Sequence, residues 1–256
     1  MLELRDLTKK YHVTPVVNRV SFSAHPSEIL GYLGPNGAGK TTTIKMLSGL
    51  LKPSDGKILY NGRDVKKDTY SYKEKLGYVP EDSEIYPHLS AYDYLLLVGR
   101  LRHIKEKVLK EKIAEFMRLF HLYDDMDAAI SSYSKGMVQK VLLSSALLHN
   151  PDVLLLDEPL SGLDVTTGSI IKDLLQRLAQ EGKIIIYSSH ILEIVEKICS
   201  RVIILHKGTI VADDSVSNLQ GLMKLPSLER IFGQLVAQED TDATAKEIVD
   251  VMKYGS

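Results

Sequence analysis

The chain has 256 residues, of which 44% are hydrophobic and 25% charged, and its formal net charge is −1. That is the composition of a folded globular protein with room for one large domain, or for a core and a smaller lobe. There is no global basic field to attract nucleic acid or an anionic membrane, so no nucleic acid is expected as a partner, and the single cysteine excludes an internal disulfide and a cysteine-built zinc site.

Taken from the start, MLELRDLTKKYHV alternates charged and apolar residues and lacks the apolar core of a signal peptide. Leu2 to Leu7, Asn18 to Ala24 and Lys57 to Asn61 alternate apolar and polar residues, which predicts antiparallel strands with one solvated face. Glu28 to Leu33 is instead a continuous apolar run leading through a glycine-rich turn into a helix predicted over Thr41 to Leu50. Similar runs at Leu76 to Pro80, Val153 to Asp157 and Ile184 to Ser188 predict central strands covered on both faces. Strands separated by helical stretches make the fold class α/β, with a mostly parallel sheet beside the antiparallel β subdomain. From Ser90 to Leu148 apolar residues recur at helical spacing (Leu95, Leu96, Val98, Leu101; Ile113, Phe116, Met117, Phe120), predicting an inserted helical lobe. Cys199, in an apolar-patterned stretch, is expected as a buried structural thiol. The tail carries helical patches at Leu228 to Val236 and Ala245 to Met252, with a polar joint at Gln238 to Ala243. No apolar run approaches the roughly 20 residues that span a bilayer, so the chain is expected to be soluble on its own. The expected organisation is a core over 1–89 and 149–213, a helical subdomain over 90–148 and a C-terminal helical extension over 214–256.

Gly34-Pro35-Asn36-Gly37-Ala38-Gly39-Lys40-Thr41 fits G-x-x-x-x-G-K-[ST] in full, between a predicted strand and a predicted helix. The glycines let backbone amides point into one concavity, and the helix N-terminus adds positive dipole to that anion site. This predicts a P-loop NTPase core, with Lys40 on the β- and γ-phosphates, Thr41 on Mg²⁺ and Thr42 at the α-phosphate. Val153 to Asp157 is an apolar strand ending in Asp157-Glu158, stopped by Pro159. Because strand residues alternate faces, the two acids are expected to divide the work: Asp157 on Mg²⁺ and Glu158 as general base for the attacking water.

The order of these features resembles the nucleotide-binding domain of ATP-binding cassette (ABC) transporters over about residues 2 to 213. Between the two ATP motifs, Tyr133-Ser134-Lys135-Gly136-Met137 is similar to the family signature, usually Leu-Ser-Gly-Gly-Gln. Ser134 and Gly136 match its phosphate-holding positions, whereas Tyr133, Lys135 and Met137 depart from it. The resemblance implies that Ser134 and Gly136 complete the ATP site of a second copy or paralogue in a head-to-tail dimer. Ser134 also reads as an ordinary helix cap, and the two roles are compatible. The resemblance further implies a D-loop at Ser161 to Asp164, a switch histidine at His190 and an adenine-stacking aromatic at Tyr11, for which an ordinary strand-end tyrosine is an equal reading. Where the family has a glutamine that touches Mg²⁺, this chain has Glu81, which adds charge and loses an amide donor. Residues Glu81 to Ser90 resemble the surface on which a transmembrane subunit docks. With Ser227 to Phe232, they are most similar to exporter-type subunits encoded apart from their membrane domain. The implied function is ATP hydrolysis powering transport. A lone cassette ATPase of iron–sulfur cluster assembly is the alternative.

Overall fold

The structure, a computed structural model, describes residues 1–81, 85–189, 191–223, 225, 227–236 and 251. In chain order its elements are β1 Leu2–Lys10, β2 Pro15–Ala24, β3 Glu28–Leu33, α1 Lys40–Leu47, β4 Asp55–Tyr60, β5 Arg63–Asp64, α2 Thr69–Glu74, β6 Leu76–Val79, α3 Ala91–Leu101, α4 Glu106–Leu119, a 3₁₀ turn Ile130–Ser132, α5 Lys135–Leu147, β7 Val153–Asp157, α6 Val165–Gln180, β8 Ile184–Ser188, α7 Leu192–Ile198, β9 Arg201–His206, β10 Thr209–Ser215, α8 Val216–Met223 and α9 Leu228–Val236.

Two sheets divide the strands. The first, in order β2-β1-β4-β5, is antiparallel throughout. The second, in order β10-β9-β3-β8-β7-β6, is parallel except where β10 folds back on β9. The apolar runs explain that second sheet. Successive strand residues face opposite ways, so Leu154, Leu156, Ile185 and Tyr187 join the helices α3 to α6 in one buried cluster. Val153, Leu155, Ile184 and Ile186 face the other way, packing with α1 and the antiparallel sheet in a second cluster. The helical segment therefore shares its core with the sheet: Leu95, Leu109, Ile113 and Met117 are fully buried in the same cluster as β7 and β8. At Gly77 the approach is so close that a Cβ would stand 2.5 Å from the Ala146 carbonyl oxygen of α5.

Several elements differ from the sequence expectation, among them β5 and α2, for which no segment was expected. The helix expected to reach Leu50 ends at Leu47, because Gly49 sits at φ +71° and turns the chain left-handed. The strands β9 and β10 were not anticipated. They form a hairpin whose turn residues, Lys207 and Gly208, both have positive φ, the geometry that suits the strands' twist. The tail packs on the body through α9, whose Leu228 and Ile231 are fully buried, and the Glu196 carboxylate of α7 accepts from Gln220 Nε2 and the Leu228 amide. The joint expected at Gln238 to Ala243 and, Val251 apart, the helical patch expected at Ala245 to Met252 lie outside the described residues.

Candidate nucleotide site

Parallel pairing brings the ends of three strands together: β8 lies between β3 and β7, and Ser188 registers with Tyr32 on one side and Asp157 on the other. The residues just beyond these ends build the site, which is the usual place for ligands in such sheets. After β3 the glycine-rich loop curls with Gly37 at φ +77° and Gly39 at φ +106°. A Cβ on Gly34 would meet the Leu205 carbonyl oxygen at 2.5 Å, and one on Gly39 would meet that of Val16 at 2.8 Å. On Gly37, by contrast, a Cβ would meet nothing within 4 Å. The loop is thus pressed against β2 and β9 from behind and open toward the cavity. Ala38 is buried, and its carbonyl accepts from the Gly208 amide. Lys40 opens α1 and donates to the carbonyls of Gly34 (2.7 Å) and Pro35 (3.2 Å). Burial pushes its ammonium below the usual lysine range, while the charges of Glu158, Asp157 and Glu81 pull it back up.

The cavity in front of this loop, about 510 Å³, is lined by Val16, Asn36, Gly37, Gly39, Lys40, Thr41, Thr42, Glu81, Asp157 and Glu158. Asp157 is buried, and neither carboxylate oxygen has a hydrogen-bond partner of normal geometry. Burial pushes its carboxyl above the ordinary value. The nearby Ser188 and Thr41 hydroxyls lower it, and the charges of Glu81 and Glu158 raise it further. The Thr41 hydroxyl donates to Glu81 Oε2 at 3.2 Å. Two buried, unpartnered oxygens beside a hydroxyl and a second carboxylate form the hard donor set that Mg²⁺ takes together with phosphate oxygens. Among the described residues no group of three or more His, Cys, Asp or Glu could hold a metal ion by itself.

The two acids are separated differently from the expectation of alternating strand faces. The strand β7 ends at Asp157, and Glu158 already stands at φ +51°, in the left-handed region that costs a non-glycine residue energy. A backbone turn therefore redirects the glutamate. Its amide donates to the Ser188 carbonyl at 3.0 Å, and Ser189 Oγ donates to its Oε2 at 3.2 Å.

The Tyr133 to Met137 segment does not reach this cavity. Ser134 caps α5, accepting from the Met137 amide at 3.3 Å, and is exposed. Gly136 packs on Gly162, where a Cβ would come within 2.5 Å of the Gly162 carbonyl oxygen, and a Cβ on Gly162 would in turn meet the stem of Lys135 at 3.1 Å. Buried Gln139 donates to the Pro159 carbonyl at 3.0 Å. Tyr133 donates to the Asp125 carbonyl at 2.6 Å, which gives that departure from the usual leucine a structural role.

Comparison with known proteins decides the family. The ABC transporter family model matches residues 17–161. The ABC transporter ATP-binding protein NatA of Bacillus subtilis (strain 168) is 35% identical over 91% of this chain and 96% of its own length. The linearmycin resistance ATP-binding protein LnrL of the same organism is 34% identical over 86% of this chain and 70% of its own. This chain belongs to the ABC transporter family. A solved structure described as the ATP-binding subunit of an ABC transporter superposes with a TM-score of 0.86, at 30% identity, covering 92% of this chain and 99% of that one. A cassette dimer described as a post-hydrolysis state bound to ADP and Pi superposes at 0.78 and 23% identity, covering 84% of this chain and 98% of that one, which speaks for the fold.

As an ABC ATPase cassette, the chain brings together most of its anticipated site. Lys40, Thr41, Thr42, Asn36, Gly37, Gly39, Glu81, Asp157 and Glu158 share one cavity, with Gly34, Pro35 and Ala38 supporting it from behind. Tyr11 is outside the lining: it is 54% exposed, with the Lys9 ammonium 5.3 Å from its ring centre. His190 lies outside the described residues. Two residues were not anticipated in functional positions. Ser189 reaches Glu158 from the end of β8, and its position next to a predicted strand end was the available signal. Gln139, which lies in the stretch Tyr133 to Lys140 that resembles the signature and its following basic-glutamine-basic run, joins the signature helix to the segment after Glu158, a contact that the resemblance did not specify. Among the described residues no helix is long and apolar enough to cross a membrane.

Proposed function

We propose that this cassette binds ATP with Mg²⁺, closes head-to-tail with a second cassette, and hydrolyses the nucleotide to drive transport through a separate membrane subunit. One observation carries this reading. The cavity that gathers the phosphate loop and both acids contains no residue of the same chain's signature, while Ser134 and the first amides of α5 are presented elsewhere on the surface. Such a chain holds two half-sites, and a rotated second copy joins each to its complement.

In that arrangement the loop amides and Lys40 hold the β- and γ-phosphates, and the capped start of α5 supplies a hydroxyl and helix-terminal amides to the γ-phosphate of the partner's ATP. Thr41, Asp157 and Glu81 would hold Mg²⁺, which when bound neutralises charge on the phosphate oxygens. Glu158 takes a proton from the attacking water as its oxygen bonds to the γ-phosphorus and the bond to the bridging oxygen breaks, giving ADP and phosphate. Loss of the γ-phosphate removes the ligand that Ser134 shares with the facing loop, and the dimer opens. The segment Glu81 to Ser90, of which residues 82–84 lie outside the described set, would carry the motion to a membrane subunit; there Tyr86 is 64% exposed. On this reading the protein works peripherally on the cytoplasmic face of the membrane. The naming of one relative for linearmycin resistance supports export as the direction.

The test is direct. Glu158→Gln should keep ATP affinity, stall hydrolysis and accumulate an ATP-bound dimer, whereas Lys40→Ala should lose ATP affinity by calorimetry. Native hydrolysis by Glu158→Gln would refute the base assignment, and undiminished ATP binding by Lys40→Ala would refute the cradle.

A further inference from the structure

We infer that Ser189 is a positioning residue that holds Glu158 in its working orientation; the inference rests on the reading of Glu158 as the general base. Ser189 is only 2% exposed, and its hydroxyl makes two bonds. It donates to Glu158 Oε2 at 3.2 Å and accepts from the Ile191 amide at 3.1 Å. A serine hydroxyl has a single proton. With a backbone N–H on one lone pair, that proton goes to the carboxylate, and the Tyr187 phenol is a further group beside the hydroxyl.

The geometry behind this contact is fixed by the sheet. The adjacent parallel strands β7 and β8 register Asp157 with Ser188, so Glu158 and Ser189 are each the first residue past a strand end. The Glu158 amide donates to the Ser188 carbonyl at 3.0 Å, which clamps the two chain exits together. Glu158 has left the strand by a left-handed turn, at φ +51°, so the pleat of β7 does not aim its side chain. A glutamate has three side-chain torsions, and a carboxylate that must align with a water needs them restricted. The Ser189 bond supplies a restraint at the far end of the side chain. It is charge-assisted and buried, where such bonds are strongest.

The test is a variant set assayed together by steady-state ATP hydrolysis, ATP-binding calorimetry and thermal melting. Ser189→Ala should lower kcat roughly ten- to a hundredfold, the loss expected from releasing a positioned catalytic group, with KM and affinity for ATP within about twofold of the parent. Ser189→Thr keeps the hydroxyl and should recover most of kcat. Ser189→Cys keeps the size but is a weak donor, and should behave like Ser189→Ala. Three results would overturn the inference: kcat of Ser189→Ala within twofold of the parent, equal losses in the alanine, threonine and cysteine variants, or a loss of kcat matched by an equal loss of ATP affinity. Glu158→Gln, run alongside, separates the two levels of the argument. If it hydrolyses ATP at the native rate the base assignment itself falls; if it is inactive while Ser189→Ala is normal, only the role of Ser189 falls.

Discussion

Gly136 was picked out as a phosphate-holding residue, and the fold gives it a second duty that can be measured with no phosphate present. A Cβ placed on it would stand 2.5 Å from the Gly162 carbonyl oxygen and 3.5 Å from the carbonyl carbon. Ordinary carbon–oxygen contacts begin near 3.3 Å, so in Gly136→Ala the D-loop would have to retreat by about 0.8 Å. It has little freedom to do so. Gly162 sits at φ +76° with the Lys135 stem packed beside it, and Pro159 is tied to Gln139 by a buried 3.0 Å bond. Overpacking of this kind costs about 1–3 kcal/mol. At roughly 2–4 °C per kcal/mol for a domain of this size, the melting temperature should fall by about 2–12 °C. Scanning calorimetry in nucleotide-free buffer isolates this packing cost from any effect on ATP. Ser134→Ala provides the contrast: it removes one exposed capping bond of 3.3 Å, worth about 1 kcal/mol or less, yet should abolish ATP-driven dimerisation. If Gly136→Ala melts within 1 °C of the parent without nucleotide, the claim that signature and D-loop are locked together is wrong.

Glu81→Gln should raise the Mg²⁺ concentration needed for half-maximal nucleotide binding severalfold, because it removes one of the two carboxylates proposed to hold the ion beside Thr41; an unchanged Mg²⁺ titration in binding calorimetry would remove Glu81 from the proposed metal site. Asp157→Asn should melt above the parent at pH 7.5 in metal-free, nucleotide-free buffer. Burial holds the Asp157 carboxyl above its ordinary value, so the stability it contributes is present at low pH and lost as pH rises through the folded value; an equal or lower melting temperature would count against this. His149 is pushed down to about 4, chiefly by burial and then by Arg102, with Lys112 and Lys183 adding to it and the bond to the Leu76 carbonyl opposing it. Its neutral form is favoured by folding, so stability should drop as pH falls from about 6.5 toward 4, by about 1–2 kcal/mol for a ring only partly buried, and His149→Gln should lose that part of the slope in urea unfolding at pH 7.5 and 5.0. Identical slopes in parent and variant would refute it.

What the sequence disclosed follows from how local each signal is. The phosphate loop, the apolar run into Asp157 and the cap at Ser134 are contiguous segments whose chemistry is fixed by neighbours a few residues away, so pattern and structure agree. The hairpin of β9 and β10 is also local, with Val202 to Leu205 as an apolar run and Lys207-Gly208 as a turn. The orientation of Glu158 was not legible. Alternation predicts a face for a strand residue, and only the backbone reveals that the strand has ended one residue earlier in a left-handed turn. Contacts such as Ser189 to Glu158 and Gln139 to Pro159 join residues 31 and 20 positions apart through the sheet and helix packing, and a single sequence holds no period that marks them.

These long-range contacts also bear on how two ATP sites on one dimer can respond to each other. On the proposed cycle Ser134 is offered to the partner's nucleotide, and it caps the helix whose second residue presses on Gly162 and whose buried Gln139 grips Pro159. Pro159 is covalently next to Glu158, so Ser134 and the chain's own proposed base are joined through about one and a half turns of α5 and a single hydrogen bond. The opposite end of Glu158 is held by Ser189, the first residue past the end of β8 in the six-stranded sheet. Movement of α5 against the sheet would therefore be felt at Glu158 as a pull between two anchors, one on the helical lobe and one on the core. On the proposed cycle, capture of the partner's γ-phosphate by Ser134 draws α5 into place and with it the Pro159 anchor, so a base is fully aligned only when the facing site is also filled.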